Sequence, residues 1–248
     1  MSTDRRRGVL TWLLAGALAV VVAGLVTGDL IVFLNARTPP AAAATAASSS
    51  IPDTPRASVA TADATGLTAW ASRVAAATGI PARALQAYGQ AELTLANAEP
   101  ACRLSWNTLA GIATVESRNG SYGGAALDQN GTETRPIIGV PLDGTDGNRM
   151  VPDTDHGTLD GDPVHDRAVG PFQFLPQTWR AYAPPGANPQ NIDAAALAAG
   201  RYLCSGGRDL STGRDWWAAV RSYNNSLSYA REVFADTDSY AAATASSR

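Results

Sequence analysis

Between Trp106 and Gly120 the chain reads WNTLAGIATVESRNG, and a carboxylate stands there where an apolar side chain is expected. At 3.6 residues per turn, Trp106, Leu109, Ala110, Ala113 and Glu116 share one stripe with Ile112 at its edge. The pattern predicts a helix with Ser105 at its N-cap and Gly120 as its stop, so Glu116 falls in the last turn. The helix dipole opposes negative charge there and an apolar surround disfavours ionisation; both raise the pKa of Glu116. A carboxylic acid that keeps its proton near neutral pH is a candidate proton donor. The same glutamate can also turn out to solvent or pair with Arg118, and the helix alone does not choose.

Two further stretches carry chemistry. Residues 170–176 read GPFQFLP, a shaped turn in which Gln173 is the only polar side chain; its amide offers donor and acceptor together. Residues 222–226 read SYNNS at the end of a helical pattern, where Asn224 and Asn225 either cap the helix or present amides. The chain has two cysteines, Cys102 and Cys204, with no CxxC and no metal quartet around them. In an exported chain such a pair is expected to form a structural disulfide.

These residues must be positioned by helices. Leu67, Trp70, Ala71, Val74 and Ala75 repeat at helical spacing up to Gly79; Pro81 opens a second helix that Pro100 ends. Asp193 is the expected cap of a helix running to Cys204, Ser211 or Thr212 caps the next, and a last amphipathic helix carries Leu227, Tyr229, Ala230, Val233 and Phe234. One mostly α-helical domain is expected over residues 65–240, with a disordered tail at 241–248.

Ahead of it, Arg5, Arg6 and Arg7 precede an apolar run, giving a basic cytoplasmic tip (1–7) and a transmembrane anchor or signal segment (8–34). Arginines on the cytoplasmic side put everything that follows outside the membrane; if the segment is cleaved, the domain is secreted. Residues 35–64 are rich in Ala, Pro, Ser and Thr and are expected to be a tether. A formal charge of -3 gives no footprint for nucleic acid.

From Tyr122 to Ala168 regularity is lost and aspartates accumulate. Asp153, Asp155 and their neighbours faintly resemble an EF-hand loop, but the required pattern is not completed. A solvated loop bordering a groove, with His156 and His165 on its surface and no metal, is the expectation.

Glu116-Ser117, then GPFQFLP, then SYNNS, taken in this order, closely resemble the lytic murein transglycosylases, in particular the membrane-bound type B branch in its actinobacterial form, over roughly residues 66–240. The resemblance implies a lysozyme-like (SLT-type), mostly helical domain with a groove for peptidoglycan glycan strands. It implies cleavage of the β-1,4 bond between N-acetylmuramic acid and N-acetylglucosamine with formation of a 1,6-anhydro ring. Carried over by position, Glu116 is the acid and then the base, and Ser117, Gln173, Tyr223 and Asn224 line the saccharide sites. No cofactor is needed. Glycosidases ordinarily use two carboxylates, about 5 Å or about 6.5–9.5 Å apart; the three motifs supply one, which suits a reaction in which the substrate's acetamido and C6 hydroxyl groups act as nucleophiles. HDRAV, residues 165–169, departs from the small uncharged residues usual before the second motif. Either Asp166 and Arg167 pair with each other at the groove edge, or Asp166 or a loop aspartate supplies a second carboxylate and permits lysozyme-type hydrolysis. A catalytically silent peptidoglycan-binding scaffold is the third reading.

Overall fold

A computed structural model describes residues 52–59, 64–145 and 147–245, apart from the side chains of Ala64 and Thr65. Among them the regular structure is all helical: α1 (Ala64–Thr78), α2 (Ala82–Ala98), α3 (Trp106–Ser117), a 3-10 turn (Tyr122–Gly124), α4 (Pro176–Tyr182), α5 (Ile192–Cys204), α6 (Gly213–Tyr223) and α7 (Leu227–Ala245). No described helix is long and apolar enough to cross a membrane, and the expected anchor at 8–34 lies outside the described residues.

The helix that carries Glu116 is central. Trp106, Leu109, Ala110, Ile112 and Ala113 are all buried, and α3 packs against α7, α2 and α5. Such burial on nearly every side is what an apolar helix with few charges requires. The crossing with α7 is close because Gly111 has no side chain: a Cβ there would stand 2.4 Å from Thr237 Oγ1 and 2.9 Å from the Val233 carbonyl. Cys102, just ahead of α3, is bonded to Cys204 at the end of α5, as expected from the cysteine pair.

Several local expectations are corrected. Ser105 stands at the N-cap of α3, as expected, but its side chain makes no capping hydrogen bond, and Glu92 Oε2 from α2 accepts the Trp106 N–H at 2.7 Å. Helix α5 is capped by Asn191, which accepts the N–H groups of Asp193 and Ala194, while Asp193 pairs with Arg83. Thr212, and not Ser211, caps α6. Helix α7 continues through Ala245, so residues 241–245 belong to it; residues 246–248 lie outside the described ones.

The tether also ends earlier than its composition indicates. Residues 52–59 lie on the domain: Asn107 accepts the Ala57 N–H at 3.1 Å and donates to the Pro55 carbonyl at 3.0 Å. Glu92 Oε1 takes the Val59 N–H at 3.0 Å, and Val59 is buried beside Gly89. One carboxylate therefore fastens both this strap and the start of α3.

The long segment after α3 is irregular, as expected, yet ordered by isolated antiparallel bridges. Leu127 pairs with Glu133, Ile138 with Val169, Pro152 with His165, and Val169 with Phe174. The Ile138 and Phe174 pairings lay this loop along the GPFQFLP turn.

Candidate active site

The last turn of α3 closes through a run of left-handed residues, Arg118 (φ 54°), Asn119 (φ 57°) and Gly120 (φ 79°). Arg118 donates to the Thr114 carbonyl and Asn119 to that of Ala113, both at 2.9 Å. The left-handed conformation costs a non-glycine residue roughly 1–2 kcal/mol. Asn119 is held there from both ends of its amide, by Tyr88 Oη at 2.9 Å and Thr114 Oγ1 at 3.0 Å.

Glu116 is half-buried and does not pair with Arg118. Tyr229 Oη, from α7, donates to its Oε1 at 2.7 Å. Loss of water around the carboxyl raises its pKa from 4.5 to about 8, with the Tyr229 hydrogen bond pulling the other way. Among the described residues no cation pairs with it. Glu116 is thus an acid that carries its proton at neutral pH.

The neighbouring motifs are joined through the carbonyls of the GPFQFLP turn. Ser117 is buried; its Oγ donates to the Pro171 carbonyl at 2.7 Å and accepts the Gly120 N–H at 2.8 Å. Tyr223, fully buried, donates to the Phe172 carbonyl at 2.7 Å, and its ring meets Phe174 edge-on. Gln173, held at φ 48°, donates through Nε2 to the Gly170 carbonyl at 2.8 Å. The turn is thus gripped from α3 and from α6. Gly170, at φ 75°, is required where it stands, since a Cβ would fall 1.9 Å from the Pro189 carbonyl.

This geometry divides the residues expected to bind substrate. The hydroxyls of Ser117 and Tyr223 face inward and hold the site together; they are placed to position the turn and not to touch a ligand. Gln173 keeps its Oε1 beside Gly139, and Asn224 uses Oδ1 to accept the Ser226 N–H at 3.1 Å, which leaves its Nδ2 without a protein partner among the described residues. Glu116, Gln173 Oε1 and Asn224 Nδ2 are the groups left for a ligand. Tyr223 lies near enough to Glu116 for the carboxylate's charge to help hold its phenol protonated, after burial itself.

Asp166 does not pair with Arg167 at a groove edge. Asp166 is fully buried, accepts both the N–H and the hydroxyl of Thr154 at 2.8 Å, and leaves Arg167 to pair with Asp162 at 2.9 Å. A different second carboxylate is present behind the motifs. Glu133 is buried, receives the Ile137 N–H at 3.3 Å on Oε2, has no partner for Oε1 among the described residues, and is pushed up to about 8 by burial. Its Oε1 lies 3.5 Å from where a Cβ on Gly120 would be.

Tyr229 and Glu133 were both missed from sequence. Tyr229 carried the same signal as Glu116, a polar group on an otherwise apolar stripe. Glu133 stands in TETRP, where no periodicity says which side chains turn inward.

No family model matches this chain, nor does any curated protein or solved structure.

Proposed function

We propose that the chain is a peptidoglycan lytic transglycosylase with a lysozyme-like domain, held at the cell membrane by residues 8–34 with the domain outside. The observation that carries this reading is Glu116: one carboxyl, protonated at neutral pH, fixed by Tyr229 and set beside a turn that three motifs build together.

In this reaction Glu116 gives its proton to the glycosidic oxygen as the bond to C1 of the muramic acid residue breaks. The neighbouring acetamido group supports the positive charge at C1. Glu116, now ionised, takes the proton of the C6 hydroxyl as that oxygen closes on C1, so the acid is regenerated and no water is consumed. The Tyr229 hydrogen bond stabilises the ionised form between the two proton transfers. The Asn224 and Gln173 amides bind the sugar's acetamido and hydroxyl groups.

Purified peptidoglycan digested with the full chain, followed by mass analysis of the muropeptides, tests the proposal. Anhydro ends support it. Reducing ends indicate hydrolysis with a second carboxylate, and absence of release makes the chain a peptidoglycan-binding scaffold; either overturns it.

A further inference from the structure

We propose that Glu133 is a positioning residue of the site: its side chain spans from Gly120, at the end of the Glu116 helix, to Ile137, which holds the first residue of the GPFQFLP turn. The kinetic consequence rests on the proposed activity; the structural consequence does not.

The carboxyl completes a circuit of contacts around the last turn of α3. Ser117 Oγ accepts the Gly120 N–H at 2.8 Å and donates to the Pro171 carbonyl at 2.7 Å. Gly170, the next residue along, donates its N–H to the Ile137 carbonyl at 2.8 Å. Ile137 in turn donates to Glu133 Oε2 at 3.3 Å. Glu133 Oε1 then returns to Gly120, 3.5 Å from where a Cβ would stand. Gln190 also binds Ile137, through Oε1 at 2.9 Å and Nε2 at 3.3 Å, and ties it to the segment ahead of α5. Glu133 is what carries the connection on to Gly120.

The backbone beneath this side chain is fixed, so its length matters. Glu133 pairs with Leu127 across a tight hairpin, closed by the Asp128 N–H on the Thr132 carbonyl at 2.9 Å and by the Thr132 N–H on Asp128 Oδ1 at 2.8 Å. Its own N–H donates to the Gln190 carbonyl at 3.0 Å. Leu127 packs on Gly120 from the other side of the hairpin, 3.1 Å from the same Cβ position. A shorter side chain has no backbone movement to compensate it.

The carboxyl works by shape and by the bond it accepts, and not by charge. Glu133 is 6% exposed, and Oε1 is closed off from solvent with no hydrogen-bond partner among the described residues. A charge left so would be costly. Burial keeps the group protonated at neutral pH, where it has the outline of a neutral amide. The proposed reaction gives it no proton to move, because Glu116 makes both transfers.

Reach and acidity are separated by two substitutions. Glu133→Gln keeps the length and can accept from Ile137 but cannot ionise; Glu133→Asp keeps the acid and loses one methylene. Below neutral pH, amide hydrogen exchange in the full chain should quicken at Gly120, Ile137 and Gly170 in Glu133→Asp by about threefold to tenfold, the weight of one hydrogen bond. In Glu133→Gln it should stay at the rate of the unaltered chain. Muropeptide release by the same proteins should give a kcat per folded chain lowered by about 10–10² in Glu133→Asp, as displacement of a catalytic group by about 1 Å does. KM should change less than kcat, and Glu133→Gln should restore both. Unchanged exchange at Gly120 and Gly170 in Glu133→Asp overturns the positioning role whether or not the chain cleaves glycan, so its failure is read apart from that of the proposed activity. An active Glu133→Asp beside an inactive Glu133→Gln overturns it by making Glu133 an acid or base of the reaction. A folded Glu133→Gln with quickened exchange overturns it even if Glu133→Asp fails to fold.

Discussion

Glu116 keeps its proton near neutral pH because the fold takes water away from the carboxyl and, among the described residues, provides one hydroxyl and no cation in return. Glu116→Gln retains an acceptor for Tyr229 but has no proton to give, so under the proposed activity the rate of glycan cleavage should fall by about 10²–10⁴, measured as muropeptide release. Tyr229→Phe has a different signature. The hydrogen bond it removes favours the ionised carboxylate, so without it the pKa of Glu116 rises above about 8. Activity that needs the protonated acid is lost as pH rises through that value. The alkaline limb of kcat/KM should therefore move to higher pH in Tyr229→Phe; a limb that stays in place or moves down contradicts the assignment.

At the scale of elements, the site depends on how α3 is held. Gly111→Ala places a methyl against Thr237 and the Val233 carbonyl, forcing α3 and α7 apart. Overpacking of this kind costs about 1–3 kcal/mol, to be read from chemical unfolding. It should also weaken the Tyr229 to Glu116 bond, since those residues lie on the same two helices. The Cys102–Cys204 bridge closes a loop with a sequence separation of 102. Replacing both cysteines by serine should lower stability by about 2–5 kcal/mol, chiefly through the freedom returned to the unfolded chain. An unchanged unfolding midpoint would count against that role. The strap at 52–59 adds a practical point: a domain cut at residue 64 removes the Val59 N–H from Glu92 and uncovers the notch at Gly89.

For the molecule as a whole, the three carboxyls shifted furthest upward among the described residues dominate the dependence of stability on pH, with Asp166 and Asp236 also raised by burial. Glu92 is raised from 4.5 to about 7, and Glu116 and Glu133 from 4.5 to about 8, each chiefly by burial. Unfolded, they ionise near 4.5; folded, they keep their protons to about 7 or 8. Between those limits the folded chain binds more protons, so its stability falls as pH rises through the window. Asp153, Asp162 and Asp215 have the opposite shift, below 3.8, and their contribution is lost only as pH falls below that range. The unfolding midpoint should therefore be higher at pH 5 than at pH 8, and Glu133→Gln should flatten the difference.

The sequence by itself determined the helices, the disulfide partners and the place of Glu116 on an apolar stripe. Each of these rests on a local period or on the arithmetic of two cysteines. Cap positions were blurred where two capping residues stand close together, as Asn191 and Asp193 do. Only the tertiary structure decided which polar groups face inward. Ser117 and Tyr223 turn their hydroxyls to carbonyls 54 and 51 residues away. Tyr229 reaches Glu116 across 113 residues. Glu92 gathers a strap that composition alone assigns to a tether, and Glu133 comes to lie behind the motifs from a stretch without period. A hydrogen bond between distant residues leaves no mark on the local pattern of either one, because that pattern records burial and backbone preference and not the identity of the partner.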